Sequence, residues 1–240
     1  MTAVESESTA ADGLGEEGVG DEDVGEEGVG DVDAERVEID VDLEPLAELH
    51  ALLARCFEHP DDATSEAIRS GALVERIGDR AEVLGMETDI DRPALPDRPR
   101  EAYLRTFDAF EGGEYAPPAE SIYEPWWDGT DRGILSGPPA HDMARRYESV
   151  GIETPDAYPA DHVALELEYA SLLLEHGADG EYVAFAEAHF DWLSAFRERV
   201  ERTSDVAFHT WAVRVLETTV NRTVATLGER AAGGDGSDEP

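Results

Sequence analysis

The 240-residue sequence contains no lysine: its 18 basic residues are all arginine, and they face 57 Asp and Glu, which gives a net charge of −39. Without lysine the chain cannot carry a P-loop lysine, a Schiff-base lysine or an anchor for pyridoxal phosphate. Nucleic acids and anionic lipids attract cationic surfaces, so a pI near 4.2 argues against nucleic acid or a membrane surface as the main partner.

Cysteine and long apolar runs are also scarce. Cys56 is the single cysteine, so the chain can form neither an internal disulfide nor a cysteine-based metal site, which fits a reducing compartment. No stretch approaches the roughly 20 apolar residues of a membrane span, and the N-terminus lacks a basic region followed by an apolar run. We therefore expect a cytoplasmic protein without membrane insertion.

The excess of acids, combined with arginine in place of lysine, resembles proteins of halophilic archaea that keep molar salt inside the cell. The physics is consistent with that resemblance, because at about 1 M salt the Debye length is only about 3 Å and repulsion between surface carboxylates is screened. The charge therefore indicates an environment before it indicates a function.

Composition divides the chain into three parts. Residues 1–42 hold 16 acids and seven glycines, repeat GEEGVGD at 15–21 and 25–31, and contain no aromatic residue. They cannot bury a core, so we expect a disordered acidic tail. We predict that residues 43–229 form one domain and that residues 230–240 form a second disordered tail.

Apolar residues in the domain recur at helical spacing, and no run of strand length alternates convincingly. The pattern predicts an all-α protein, a single compact helical bundle with short links. The predicted helices cover about 46–57, 65–84, 98–110, 138–150, 159–176, 181–200 and 206–227.

Several short motifs that could indicate a cofactor lack their structural context. GLGEEG at 13–18 matches a dinucleotide fingerprint, but it follows no strand, and its two glutamates would repel a pyrophosphate. None of the seven histidines has Glu or Asp three positions before it, and H-E-x-x-H and G-x-S-x-G are absent. We therefore expect no cofactor, no metal and no catalytic residue.

The helix predicted over 159–176 is apolar on most of its circumference, with two exceptions. His162 and Glu166 lie four apart on the apolar side, whereas Asp161, Glu168 and Glu175 form an acidic stripe that we expect to face water. A buried charge is usually paired, so one expectation is a His162–Glu166 contact completed by an arginine. The other is a polar floor in an apolar groove.

A second unusual segment is AESIYEPWW at 119–127. Two adjacent tryptophans cannot share one face of a helix or strand. In a loop rich in Gly and Pro they either cap a core or serve as anchors at a binding surface. Placed beside the polar floor, this loop would complete a groove.

Three elements in order along the chain resemble the TorD/DmsD family of redox-enzyme maturation chaperones. They are E-S-x-Y at 120–123, G-P-P at 137–139, and P-x-D-H-x-x-x-E-L-E at 159–168. The resemblance covers about residues 43–229 and implies an all-helical, non-enzymatic protein. Members of that family hold the apoprotein of a molybdopterin oxidoreductase until its cofactor is loaded and recognise its twin-arginine signal peptide.

The resemblance also implies which residues bind the peptide. The implied set is Asp161 and His162 first, followed by Tyr123, Trp127 and Gly137. Glu166 joins this set as part of the polar floor. The implied partners are the apo oxidoreductase subunit and its signal peptide, and the chain would be a monomer or a dimer that exchanges helices.

Two other functions stay open on the residues alone. One is a small helical enzyme in which His162 is a base oriented by Glu166. The other is a helical interaction scaffold. Against the enzyme, the sequence supplies no nucleophile, metal set or phosphate-binding loop to complete a site.

We predict that the fold depends on salt. Residues 43–240 carry 17 arginines against 41 acids, and at about 0.01 M salt the Debye length grows to about 30 Å, so repulsion acts across the domain. The near-UV circular dichroism signal should be lost when the protein is dialysed from molar to millimolar potassium chloride. An unchanged spectrum would show that charge repulsion does not govern the stability.

Overall fold

The structure is a computed structural model that describes residues 43–86, 92–108, 114–123, 126, 137–155 and 157–234. Within these ranges the secondary structure is entirely helical apart from one isolated bridge between Ala119 and His162. The predicted all-α class is confirmed. The predicted acidic tail, residues 1–42, and Trp127 lie outside the described residues.

The described residues form nine α-helices and one short 3₁₀ helix. In chain order they are α1 Leu43–Phe57, α2 Asp62–Ser70, α3 Ala72–Val83, α4 Pro99–Phe107, the 3₁₀ helix Glu120–Ile122, α5 Pro138–Ser149, α6 Val163–Glu175, α7 Asp179–His189, α8 Leu193–Thr203 and α9 Ala207–Gly234.

The centre of the bundle is the pair formed by α1 and α6. Ala47 and Ala170 are buried where small side chains allow close packing, and the Ser171 hydroxyl donates to the Ala47 carbonyl at 2.9 Å. Helices α7, α8 and α9 pack around this pair and bury large aromatic side chains, among them Tyr182 and Trp192. The apolar circumference predicted for α6 therefore reflects its central position.

One predicted helix, 65–84, is two helices in the structure. Gly71 separates α2 from α3 with φ +83°, and its N–H donates to the Ile68 carbonyl at 3.1 Å. This left-handed conformation ends α2, since only glycine adopts it without steric cost. The Asp61 carboxylate caps the other end of α2 by accepting the Thr64 N–H at 2.7 Å.

Other predicted boundaries also shift. The predicted helix 181–200 is interrupted between α7 and α8, where Phe190 and Trp192 turn into the core. The predicted helix 159–176 begins only at Val163, because His162 has extended backbone angles and acts as the N-cap. Helix α4 ends at Phe107, and α9 continues to Gly234, beyond the predicted end at Leu227.

Across the described part of the chain, every helix is too short or too polar to cross a lipid bilayer.

Two glycine substitutions should have opposite effects on stability. Gly71→Ala should destabilise the fold by about 1–2 kcal/mol, because a Cβ there enforces the left-handed penalty and would collide with the Arg92 side chain. Gly78→Ala should stabilise it by about 0.5–1 kcal/mol, because a Cβ inside α3 would meet no atom within 4 Å. Denaturant midpoints in molar salt measure the stability of both variants. Equal midpoints for the two variants would contradict the helix break at Gly71.

Candidate functional site

The segment around the 3₁₀ helix is joined to the start of α6 by backbone hydrogen bonds. The Glu120 N–H donates to the Asp161 carbonyl at 3.0 Å, and the Val163 N–H donates to the Pro118 carbonyl at 2.9 Å. The E-S-x-Y and P-x-D-H elements, about 40 residues apart in the sequence, therefore form one local structure.

The G-P-P element lies against the same structure. Gly137 precedes α5, and its carbonyl accepts the His141 N–H at 3.1 Å. A Cβ built on Gly137 would stand 3.4 Å from the Ser121 Cβ. All three elements singled out in the sequence thus meet at one place, which we call the motif junction: residues 118–123, 137–139 and 159–166.

Asp161 differs from the expectation that it faces water. It is fully buried, and its Oδ2 accepts the Ser121 N–H at 2.8 Å. The helical-wheel argument was wrong at this residue because Asp161 precedes the first turn of α6 and does not follow the helical rotation. Glu175, at the other end of the predicted stripe, is exposed as expected.

Among the described residues, no hydrogen bond joins His162 to Glu166 and no arginine pairs with Glu166. His162 Nδ1 accepts the Ala164 N–H at 3.2 Å, and the ring lies against Tyr158 with centroids 4.3 Å apart. His162 Nε2 and both Glu166 carboxylate oxygens are buried without a hydrogen-bond partner in the described structure. The prediction failed because His162 is the N-cap and its side chain turns back onto the first turn of the helix.

The remaining predicted binding residues are only partly accounted for. Tyr123 is buried rather than on a groove wall: its ring stacks on Trp192 at 5.1 Å and meets Phe196 at 5.7 Å. Trp127 lies outside the described residues. Its neighbour Trp126 is 42% exposed, and its indole N–H donates to Glu120 Oε1 at 2.6 Å.

A chain of polar side chains runs inward from the surface to Glu120. Asp142 on α5 forms ion pairs with Arg145 and Arg146 and accepts a hydrogen bond from His189 Nε2 at 2.9 Å. The other ring nitrogen of His189, Nδ1, lies 2.8 Å from Glu120 Oε2. One imidazole therefore connects α5 to the 3₁₀ helix through two carboxylates.

The pKa shifts of this chain follow from burial and from its partners. Burial alone would raise the pKa of Asp142, but hydrogen bonds from Arg146, His189 and Arg145 outweigh it and hold the pKa well below its usual range. Burial alone would lower the pKa of His189, but the Glu120 and Asp142 carboxylates outweigh it and raise the pKa. His189 is thus favoured in its cationic form.

Glu166 and His162 are each favoured in the neutral form. Burial, together with the nearby Glu120 and Asp161 carboxylates, raises the pKa of Glu166 well above its usual value. Burial lowers the pKa of His162 to about 3. Because no hydrogen bond joins these two side chains, Glu166 does not orient His162 as the enzyme alternative requires.

Glu120 belongs to the E-S-x-Y element, but no motif of the sequence includes Asp142 or His189. The available signal was a histidine that shares a face with Tyr182 and Phe185, since a buried polar side chain requires a partner. Among the described residues, the group able to hold a metal ion is Glu120, Glu166 and His189.

Comparison with known proteins identifies one family. A family model described as nitrate reductase delta subunit matches residues 72–203, more than half of the chain, and this range includes the whole motif junction. A crystal structure of a candidate redox enzyme maturation protein from Archaeoglobus fulgidus is 22% identical, with a TM-score of 0.42, and the match covers 76% of this chain and 93% of that one. No curated protein sequence matches the chain.

Replacing Asp161 should affect stability far more than an exposed position would. Asp161→Ala should cost about 1.5–3 kcal/mol, because the buried Ser121 N–H loses a charged acceptor. Glu175→Ala, the exposed control on the same predicted stripe, should stay within about 0.5 kcal/mol. Asp161→Asn retains an acceptor oxygen and should recover most of the loss in denaturant midpoint. Equal midpoints for the two alanine variants would contradict the assigned hydrogen bond.

Proposed function

We propose a maturation function for this chain, which belongs to the nitrate reductase delta subunit family of TorD-like redox-enzyme maturation chaperones. In this function the chain holds a molybdopterin oxidoreductase subunit before export and binds the twin-arginine signal peptide of that subunit. The observation that carries the proposal is the family match over residues 72–203. We place this activity in the cytoplasm, where the cofactor is loaded, and we propose no catalytic step.

Unpartnered polar atoms support a ligand at the motif junction. Within the described structure, buried side-chain atoms without a hydrogen-bond partner occur repeatedly there: Ser121 Oγ, Tyr123 Oη, Asp161 Oδ1, His162 Nε2 and both oxygens of Glu166. Each such atom costs roughly 1–3 kcal/mol when it stays unpaired. A peptide or its associated water that supplied partners would recover part of that free energy.

The chemistry of a twin-arginine signal suits the carboxylates at this place. Arginine presents a planar fork of donors that pairs with a carboxylate through two parallel hydrogen bonds. Asp161, Glu166 and Glu120 supply buried carboxylates within the junction. The overall charge of −39 would also attract a cationic segment, but it acts over the whole surface and gives no specificity.

The apolar part of a signal peptide requires apolar contact at the surface. Trp126 is exposed beside the junction while its indole N–H is held by Glu120, and a fixed aromatic side chain is a typical binding anchor. We therefore propose that the peptide binds over the junction. The residues that we assign to it are Asp161, His162, Glu166, Trp127 and Gly137, with Trp126 as a further contact. The buried Tyr123 supports the site from below through its stacking on Trp192.

The test is binding of a fluorescently labelled twin-arginine signal peptide of a molybdopterin oxidoreductase, measured by anisotropy in molar potassium chloride. Trp126→Ala should weaken binding at least tenfold, which corresponds to about 1.4 kcal/mol. Ile152→Ala is the matched control, because Ile152 is equally exposed, 42%, but lies after α5 and outside the junction. The peptide affinity of Ile152→Ala should stay within about twofold of the wild-type value.

Two further comparisons test the assigned chemistry. Asp161→Asn, which preserves the acceptor to Ser121, should weaken peptide binding without lowering the denaturant midpoint to the same degree. A peptide with both arginines replaced by lysine should bind more weakly, since lysine lacks the two-pronged geometry. Equal binding of a scrambled peptide, or full affinity in both Trp126→Ala and Asp161→Asn, would refute the proposed site.

A further inference from the structure

Three side chains that can ligate a metal converge where the motif junction meets α7. Glu120 comes from the 3₁₀ helix, Glu166 from α6 and His189 from α7, and one ligand atom of each lies within 4.8 Å of the other two. All three residues are buried, with exposed fractions of 0%, 0% and 3%. They are brought together by three separate elements, so their proximity is a property of the tertiary structure.

Glu166 is the residue that most needs a partner. Both of its carboxylate oxygens are buried, and neither has a partner at hydrogen-bond geometry among the described residues. The nearby Trp192 indole N–H donates to the His189 carbonyl at 2.8 Å instead. The Glu120 carboxylate is close by, but it adds negative charge rather than compensating for it. Because a buried carboxylate without compensation is strongly unfavourable, Glu166 requires either a proton or a cation.

The surrounding side chains leave little positive charge for this pair of glutamates. Among the hydrogen bonds of the described residues, His189 is the cationic group that reaches Glu120, while Trp126 contributes a neutral donor. Arg145 and Arg146 pair with Asp142 instead. Two carboxylates therefore face one imidazole in an apolar interior.

The orientation of His189 matches that of a metal ligand. Its Nε2 is 2.9 Å from Asp142 Oδ2, so Nε2–H can donate there. Nδ1 lies 2.8 Å from Glu120 Oε2 and becomes a ligand once it gives up the proton that it shares with that carboxylate. A histidine that ligates metal usually donates its other N–H to a carboxylate in this way. Asp142 is in turn held by two arginines, which fixes the ring.

We propose that Glu120, Glu166 and Nδ1 of His189 form a binding site for one divalent transition-metal ion of the zinc class. One imidazole nitrogen and two carboxylate oxygens are ligands that such ions accept, whereas magnesium and calcium prefer oxygen alone. The ligands of a tetrahedral zinc ion lie about 3.3 Å apart, so side-chain movements of about 1 Å would close the site. The fourth position stays open.

Charge and proton balance also favour the ion. A divalent cation neutralises the two carboxylates that would otherwise repel each other. Nδ1 must give up any proton that it shares with Glu120, and that proton is released to solvent. The site goes beyond the proposed peptide binding, and it is measured without peptide, so either proposal can fail alone.

Calorimetric titration of the full chain with zinc, after chelator treatment and in molar potassium chloride, tests the site. We expect one tight equivalent per chain, distinct from weak binding to surface acids. Glu166→Gln is nearly isosteric and creates no buried charge, so it should fold and weaken this phase at least tenfold. Glu175→Gln is the matched control, since it makes the same substitution at an exposed position of α6, and it should leave the phase unchanged.

Cobalt(II) supplies a second readout, because its visible spectrum reports the ligands directly. Bound cobalt should show bands that Glu166→Gln removes and that Glu175→Gln retains. Asp142→Asn should weaken zinc binding about 10–100-fold, as expected for a group that positions a ligating histidine, while saturating cobalt still gives the same bands. Far-UV circular dichroism shows whether each variant is folded. If Glu166→Gln does not fold, Glu120→Gln replaces it: the cobalt bands of the wild-type chain should be absent from the Glu120→Gln variant.

The absence of a one-equivalent phase in the wild-type chain would overturn the proposal. The same holds for equal zinc affinity in Glu166→Gln and Glu175→Gln. Either result would show that a metal ion does not compensate the two buried glutamates.

Discussion

The hydrogen bond from the Ser121 amide to the Asp161 carboxylate, 2.8 Å long and fully buried, holds the part of the molecule on which the proposed functions depend. Buried backbone N–H groups in irregular segments need acceptors. The carbonyl groups inside a helix cannot serve, because they already accept N–H groups of the same helix. Asp161 provides one by its side chain and another by its carbonyl, which accepts the Glu120 N–H. The segment before α5 is thereby attached to the start of the central helix.

Attachment at this point determines where the neighbouring polar groups can go. Once Glu120 is fixed beside α6, its carboxylate lies inside the bundle and must be met there, by the Trp126 indole and by His189. His189 then reaches Asp142 on α5. Such a network contributes little net stability, since desolvation offsets attraction, but it favours one arrangement of the three elements over others.

The acidic residues serve two different purposes. The surface acids, which dominate the net charge of −39, interact weakly with one another in high salt and are individually replaceable. The buried acids Glu120, Asp161 and Glu166 lie in an apolar environment, where each requires a specific partner. A ligand that brings a guanidinium or a metal ion to the junction would supply such a partner, which is the physical link between the proposed peptide site and the proposed metal site.

Sequence periodicity by itself determined the all-α class and the central, apolar character of α6, because both depend on local spacing of apolar residues. The resemblance of its motifs identified the family. The break at Gly71, the burial of Asp161 and the separation of His162 from Glu166 were decided by the tertiary structure, since each depends on caps and contacts that a helical wheel does not contain. The tertiary structure also determines the cluster of Glu120, Glu166 and His189. Its members come from three elements, and only the packing of the bundle sets the distances between them.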